Sequence, residues 1–449
     1  MNKKMLREIM LDIIFRIEQD GGYSHLLIDH YVKKHNLSNK DTRLLTHVVY
    51  GTVQYQLTLD YYLEPFIKGR KVDDWVKTLL RLSVYQMKYL DRIPSHAIIY
   101  DAVEIAKKKG HRGISSFVNG VLRNIQRKGF RDVTEIPSKQ RQIATQTSHP
   151  EWLLNYWERQ YGPETSEKIA KTNMKQKPQS IRIQPMRTSR EEMMNQLRNL
   201  NMNVEQSLFS EQGIVIKDGN ILETKFVEEG YVTIQDQSSM LVSELLQVEE
   251  GMTVLDACSA PGGKATHIAE KLNNTGKVHA HDLHKNKTNI VNNNAKRLQL
   301  SNIQVDQSDA RMLSTIYDVE TFDRIVLDVP CTGFGVIRSK PDIKYHKNEK
   351  DISQLSNVQF EILTSVAPLL KRDGKLIYST CTITKDENER VIEQFLQEND
   401  DFQVDQSFFT DLPKELQHTE GVSEVGIQIF PQTYNTDGFF ISRLIRMRS

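Results

Sequence analysis

Residues 253–272 read TVLDACSAPGGKATHIAEKL, and this stretch decides the fold. An apolar run, Val254–Asp256, enters a glycine turn at Gly262–Gly263, and a helix follows. Such a strand–turn–helix unit brings backbone N–H groups and a helix N-terminus close to a nucleoside or a carboxylate. The turn is not GxGxxG, which disfavours a dinucleotide. It is not a Walker loop either, because Lys264 lacks the preceding GxxxxG frame.

Outward from this unit, similar short β-branched runs recur with helical segments between them: KVHAHD (277–282), NIQVDQSDA (302–310), DRIVLDV (323–329) and GKLIYST (374–380). That alternation predicts a parallel, doubly wound α/β sheet from about residue 235 onward. Asp282 ends the second run, twenty residues after Gly262, where an acid accepts hydrogen bonds from a ribose diol. Asp309 follows the third run, where an adenine amino group would be received. Strand-end aspartates also cap helices, yet three successive strand ends with suitable features predict an adenosine-bearing cofactor at the carboxyl edge of the sheet. His279, His281 and His284 raise a metal site as an alternative. Asp282 competes for the same place and no further ligand cluster is evident, so no metal is expected.

Two of the three cysteines lie just past strands and are followed by threonine: DVPCTGFGVIRSKPDIKY (328–345) carries Cys331, and YSTCTITKDENE (378–389) carries Cys381. A free cysteine is ordinarily a small buried hydrophobe. Here both stand where the cofactor features converge, which favours thiol chemistry. The second motif predicts a helix opened by a capping box, Thr384 to Glu387, with Cys381 near its N-terminus and its thiolate thereby favoured. Arg338 and Lys340 suit a phosphate backbone. No CxxC pair exists, so neither a disulfide framework nor a structural zinc is expected.

The N-terminal part has a different character. Leu6, Ile9, Met10, Ile13, Ile14 and Ile17 fall at helical spacing with acids between them, which describes an amphipathic helix and not a targeting segment. The helical pattern continues to about residue 135, and no run is long enough to span a bilayer. The chain is therefore expected in the cytoplasm. Residues 1–140 hold 24 Lys and Arg against 15 Asp and Glu, whereas the remainder is acidic. Lys107, Lys108, Lys109, Arg112, Arg123, Arg127, Lys128 and Arg131 concentrate that charge, as a module gripping a polyanion would. Three divisions are expected: a helical module over 1–135, linker helices and a small α/β part over 136–230, and the doubly wound part over 231–449.

With CSAPGGK (258–264), the two cysteine motifs and DGFFISRL (437–444) in this order, the chain resembles the RNA cytosine-5 methyltransferases that use S-adenosylmethionine. Its nearest likeness is to the bacterial small-subunit ribosomal RNA type. The run LRLSVYQMKYLDRIPSHAIIYDAVEIAKKKG (80–110) also looks like the NusB-like helical RNA-binding domain of that type. The resemblance implies a Rossmann-like methyltransferase domain. Cys258, Ser259, Ala260, Pro261, Gly262, Gly263 and Lys264 would form the cofactor loop, Asp282 would bind the ribose and Asp309 the adenine side. Asp328 would stand near the cofactor methionine and hold the cytosine by its polar edge, with Lys264 helping to position the base. Cys381 would be the nucleophile and Cys331 would assist product release. Thr332 stands where the family usually has serine, keeping the hydroxyl and adding a methyl. The implied partner is ribosomal RNA with its target base out of the stack, bound by a monomer. Transfer RNA as substrate, or a non-catalytic RNA-binding factor, are the alternatives. The intact Cys381, Asp328 and glycine loop argue against the latter.

Overall fold

The computed structural model describes residues 3–448 and divides into two compact units. The first contains residues 1–175 together with 337–348, and the second contains 176–336 and 349–449.

The first unit is helical. Its elements are α1 (Lys3–Asp20), α2 (Ser24–His35), α3 (Asn39–Gln54), α4 (Gln56–Ile67), α5 (Asp74–Tyr89), α6 (Ser95–Lys109), α7 (Arg112–Lys128), α8 (Lys139–Thr147) and α9 (Glu151–Asn173). The six apolar residues that marked the first helix are all buried, together with Leu45, Val49, Leu80, Val84, Ile105 and Leu122 from its neighbours. A single apolar stripe per helix facing a common core is what a 3.6-residue period dictates. Residues 337–348 leave the second motif region and join this unit. There Asp342 accepts the Ser24 hydroxyl at 2.6 Å, and the buried Lys344 ammonium donates to the Gln54 carbonyl at 2.9 Å. Tyr345 donates to the Ser148 carbonyl at 2.9 Å.

The second unit begins with a small antiparallel sheet, order β2-β3-β1-β4, made of β1 (Gln179–Ile183), β2 (Asn203–Gln206), β3 (Gly213–Asp218) and β4 (Val232–Ile234). Helix α10 (Arg190–Asn199) packs Met193, Met194 and Leu197 against Ile181, Ile214 and Ile216.

The rest of the unit follows as α11 (Gln237–Leu245), β5 (Thr253–Asp256), α12 (Gly263–Lys271), β6 (Lys277–Asp282), α13 (Lys285–Arg297), β7 (Ile303–Gln307) and β8 (Phe322–Asp328). After the helical turn α14 (Ile343–His346), which belongs to the first unit, come α15 (Glu349–Val366), β9 (Leu370–Thr380), α16 (Glu389–Glu398), β10 (Phe402–Val404), β11 (Ile427–Ile429) and β12 (Phe439–Arg446). The large sheet runs β10-β12-β9-β8-β5-β6-β7, with β11 also paired to β12. Strands β9, β8, β5, β6 and β7 are parallel, while β12 runs antiparallel to β9.

Alternate residues feed opposite cores. Val254, Val326 and Ile377 pack with α11 and α12, whereas Leu255, Ile325, Leu327 and Leu376 pack with α15 and α16. This two-sided burial explains why the strands are nearly continuous in apolar residues. The order reverses between β5 and β8, and a parallel sheet opens a crevice at the carboxyl ends of such a pair.

Candidate active site

The motif residues converge at that reversal. The loop after β5 turns at Gly262, whose φ of +102° lies in the left-handed region that glycine adopts without strain. A Cβ on Gly263 would meet only the Gln235 side chain, at 3.7 Å, so the backbone there is open to a ligand. Within this loop both carboxyl oxygens of buried Asp256 and the hydroxyl of Ser259 have no hydrogen-bond partner among the described residues. Burial and the nearby Asp328 charge, opposed by Lys264, push the Asp256 carboxyl up to about 7. Burial likewise holds the Cys258 thiol well above its ordinary range.

Asp282 closes β6 and accepts the His284 backbone N–H at 3.0 Å. Asp309 stands just past β7, where it caps a short 3-10 helix and pairs with Arg311 at 2.7 Å. The histidines of the same strand point elsewhere: His279 and His281 meet the Tyr317 hydroxyl at 3.0 and 2.8 Å.

Asp328 at the end of β8 is held from two sides. The Lys264 ammonium donates to one oxygen at 2.6 Å and the Ser379 hydroxyl to the other at 3.1 Å. The same ammonium donates to Ser239 at 3.1 Å and lies 5.0 Å from the Phe439 ring centroid. Cys331 and Cys381 bring their sulfurs to 3.4 Å. The adjacent Cys381 sulfur and burial hold the Cys331 thiol well above its usual range, with Glu387 and Asp328 adding to the effect.

The predicted capping box is not formed. Helix α16 begins only at Glu389, eight residues after Cys381, with Asn388 and not Thr384 at its N-cap. The Glu387 carboxylate accepts the Thr384 hydroxyl at 2.7 Å and reaches across to Thr332, accepting its N–H at 2.8 Å and its hydroxyl at 2.6 Å. Burial decides this outcome: a carboxylate excluded from water takes whatever donors surround it, and here they come from the other cysteine loop. At Gly335 the two loops meet a third element. A Cβ there would lie 2.0 Å from the Gly438 carbonyl oxygen, a spacing that only glycine permits.

Several site residues escaped the sequence reading. Arg182 on β1, fully buried, bonds Glu270 at 2.7 Å and the Gly263 carbonyl at 2.8 Å, fixing the start of α12 from the small sheet. Lys177 bridges Asp236 and Asp437 at 2.7 and 2.6 Å. Such pairings join residues far apart in the chain, so spacing gives no signal for them.

Comparison with known proteins decides the family. Residues 243–445 match the 16S rRNA methyltransferase RsmB/F model, residues 4–127 the NusB family, and residues 149–221 the ferredoxin-like domain of RsmF/B-like methyltransferases. The probable ribosomal RNA small subunit methyltransferase B of Bacillus subtilis (strain 168) is 46% identical over 98% of each chain. The chain belongs to the ribosomal RNA small subunit methyltransferase B family. A family member described as probable in Synechocystis is 33% identical over 98% of each chain. The crystal structure of PH0851 superposes with a TM-score of 0.84 at 25% identity, over 99% of each chain. A methyltransferase homolog protein from Pyrococcus horikoshii gives 0.59 at 25% identity, covering 68% of this chain and 98% of that one.

The cofactor of this family member is S-adenosylmethionine. The residues suit it: the unpartnered polar atoms of Asp256 and Ser259, the open backbone at Gly263 and the acid ending β6 together offer acceptors and space for a cationic, ribose-bearing ligand.

Proposed function

We propose that the chain methylates carbon 5 of a cytosine in small-subunit ribosomal RNA through a covalent bond between Cys381 and the base. The observation that carries this reading is the pair of sulfurs 3.4 Å apart, beside an aspartate that is itself gripped by a buried lysine. Bound S-adenosylmethionine supplies an electrophilic methyl group. Carbon 5 of cytosine is too weak a nucleophile to accept it unaided.

Addition of the Cys381 thiolate to carbon 6 forms a C–S bond and moves an electron pair toward carbon 5. Asp328, oriented by Lys264 and Ser379, holds the polar edge of the ring where charge develops. Product release breaks the carbon 5–H and carbon 6–S bonds: the proton passes to water, its electron pair re-forms the ring double bond, and the Cys381 sulfur departs as thiolate. The Cys331 thiol, 3.4 Å away, is near enough to assist that departure by donating a hydrogen bond to the leaving sulfur. Cys258–Lys264, Asp282 and Asp309 are assigned to the cofactor. The chain is read as a cytoplasmic monomer acting on a base extruded from its stack.

The experiment is nucleoside analysis of unmodified small-subunit ribosomal RNA after incubation with labelled S-adenosylmethionine. The label is expected in 5-methylcytidine with the wild-type protein and is expected to be absent with Cys381→Ala. Label in another nucleoside refutes the reaction, and full activity in Cys381→Ala refutes the nucleophile.

A further inference from the structure

Glu387 is fully buried, and each of the four groups that donate to it is neutral. One carboxylate oxygen accepts the Thr332 backbone N–H at 2.8 Å and the Gln359 amide at 3.1 Å. The other accepts the hydroxyls of Thr332 at 2.6 Å and Thr384 at 2.7 Å. Thr332 and Thr384 each lie within three residues of a different cysteine.

The same cluster is braced from further sides. Gln359 on α15 donates to the Pro330 carbonyl at 2.9 Å, so the residues before and after Cys331 are both held. The Thr332 and Thr382 hydroxyls meet at 2.8 Å, joining the residues that follow the two cysteines. Tyr378 at the end of β9 donates to the backbone carbonyl of Glu387 at 2.6 Å, fixing the carboxylate's own position.

A buried carboxylate with this many donors is expensive to leave unsatisfied, so its removal frees both loops together. From this geometry we infer that Glu387 is the positioning residue that holds the Cys331 and Cys381 loops in register and so sets the separation of their sulfurs. The inference rests on the proposed two-cysteine reaction for its catalytic meaning, though not for the geometry it predicts. Burial holds the Glu387 carboxyl above its ordinary range while its donors oppose this, and its negative charge helps keep the Cys331 proton in place. A serine at position 332 would keep a hydroxyl able to reach Glu387.

The test uses the full-length protein and the variants Glu387→Ala, Glu387→Gln, Thr332→Val and Thr332→Ser. The first readout needs no RNA: a diazenedicarboxamide oxidant takes two electrons and two protons from the thiols and is reduced to the hydrazine as the disulfide forms. Peptide mapping then follows the rate of Cys331–Cys381 bond formation. The second readout is single-turnover methyl transfer at saturating S-adenosylmethionine, with the cofactor dissociation constant measured alongside.

Glu387→Ala is expected to slow disulfide formation about tenfold and methyl transfer about a hundredfold, the cost of an ångström-scale misplacement, with cofactor affinity unchanged. Thr332→Val is expected to follow in the same direction with a smaller loss, and it stands in if Glu387→Ala does not fold. Glu387→Gln should recover part of both rates, because its carbonyl still accepts the Thr332 N–H. Thr332→Ser should match the wild type in both. Disulfide and methyl-transfer rates in Glu387→Ala, or in Thr332→Val where that variant stands in, equal to wild type overturn the inference. Loss of cofactor affinity in parallel with rate does the same. If the wild type methylates no cytosine, the proposed reaction fails, while the disulfide rates still decide the role of Glu387.

Discussion

At the residue scale, the site is organised by pairs whose meaning depends on which partner is charged. Lys264 and Asp328 form a partly buried ion pair at 2.6 Å, and breaking such a pair by removing one member costs more than the pair contributes. Asp328→Asn keeps the shape of the side chain and removes the charge that orients the lysine. The expected outcome is a fall in single-turnover methyl transfer of roughly 10²–10⁴-fold, the range for loss of a positioned acid or base. Cofactor affinity should change far less, and isothermal titration measures it. The acids and cysteines of this site stood out in the sequence because they lie at or just past strand ends inside short motifs, whereas Lys264, in the first turn of α12, stood out only through the resemblance of the CSAPGGK motif. Glu387 was visible but misread. Thr384 and Glu387 have the spacing of a capping box, and only the tertiary approach of Thr332 diverts the carboxylate to the other loop. The assignment of Cys331 to release and Cys381 to attack comes from the resemblance of their motifs, and the structure places the two sulfurs 3.4 Å apart.

At the element scale, β5, β8 and β9 were legible because two-sided burial leaves nearly continuous apolar runs between helical segments, and the more polar β6 and β7 were legible from their place in the same strand–helix alternation. The antiparallel β12, wedged between β9 and β10, was not, since direction is set by pairing partners and not by composition. The small sheet contributes more to the site than its weak pattern suggested. Lys177, just before β1, joins Asp236 at the start of α11 to Asp437 at the start of β12. Burial alone would raise the Asp236 carboxyl, but Lys177 outweighs it and brings the group down to about 2. A carboxyl depressed from 3.8 stabilises the fold at pH above its ordinary value and loses that contribution as pH falls through 2. The amount is about 2 kcal/mol, from a shift of just under two pH units at ~1.4 kcal/mol each. Lys177→Met strands two buried carboxylates, so denaturant unfolding at pH 7 should show a loss of about 3 kcal/mol. The deficit should shrink toward pH 3 as those carboxylates take up protons. A deficit independent of pH would mean that lost packing, not charge, explains it.

At the scale of the whole molecule, the basic character of the N-terminal part was legible from composition, yet half of its cationic stretch is already neutralised. Lys107, Lys108 and Lys109 pair with Glu104, Glu8 and Asp12, and Arg131 pairs with Glu64. Arg112, Arg123, Arg127 and Lys128 on α7 form no ion pair among the described residues. Acids on α1 pair with lysines almost a hundred residues away, which no local count reveals. Sequence likewise gave no sign that residues 337–348, the continuation of the Cys331 motif, belong to the helical unit. Their anchors, Ser24 for Asp342 and Gln54 for Lys344, are ordinary polar residues on helices. The continuation of the Cys331 motif thus supplies part of the helical unit. The central claim remains the covalent division of labour between the two cysteines. It is tested most directly by incubating Cys331→Ala with small-subunit ribosomal RNA and S-adenosylmethionine, then identifying the nucleotide-bearing peptide by mass spectrometry after denaturation. The account predicts an accumulated adduct on the peptide containing Cys381. The absence of any adduct, or one attached elsewhere, would contradict it.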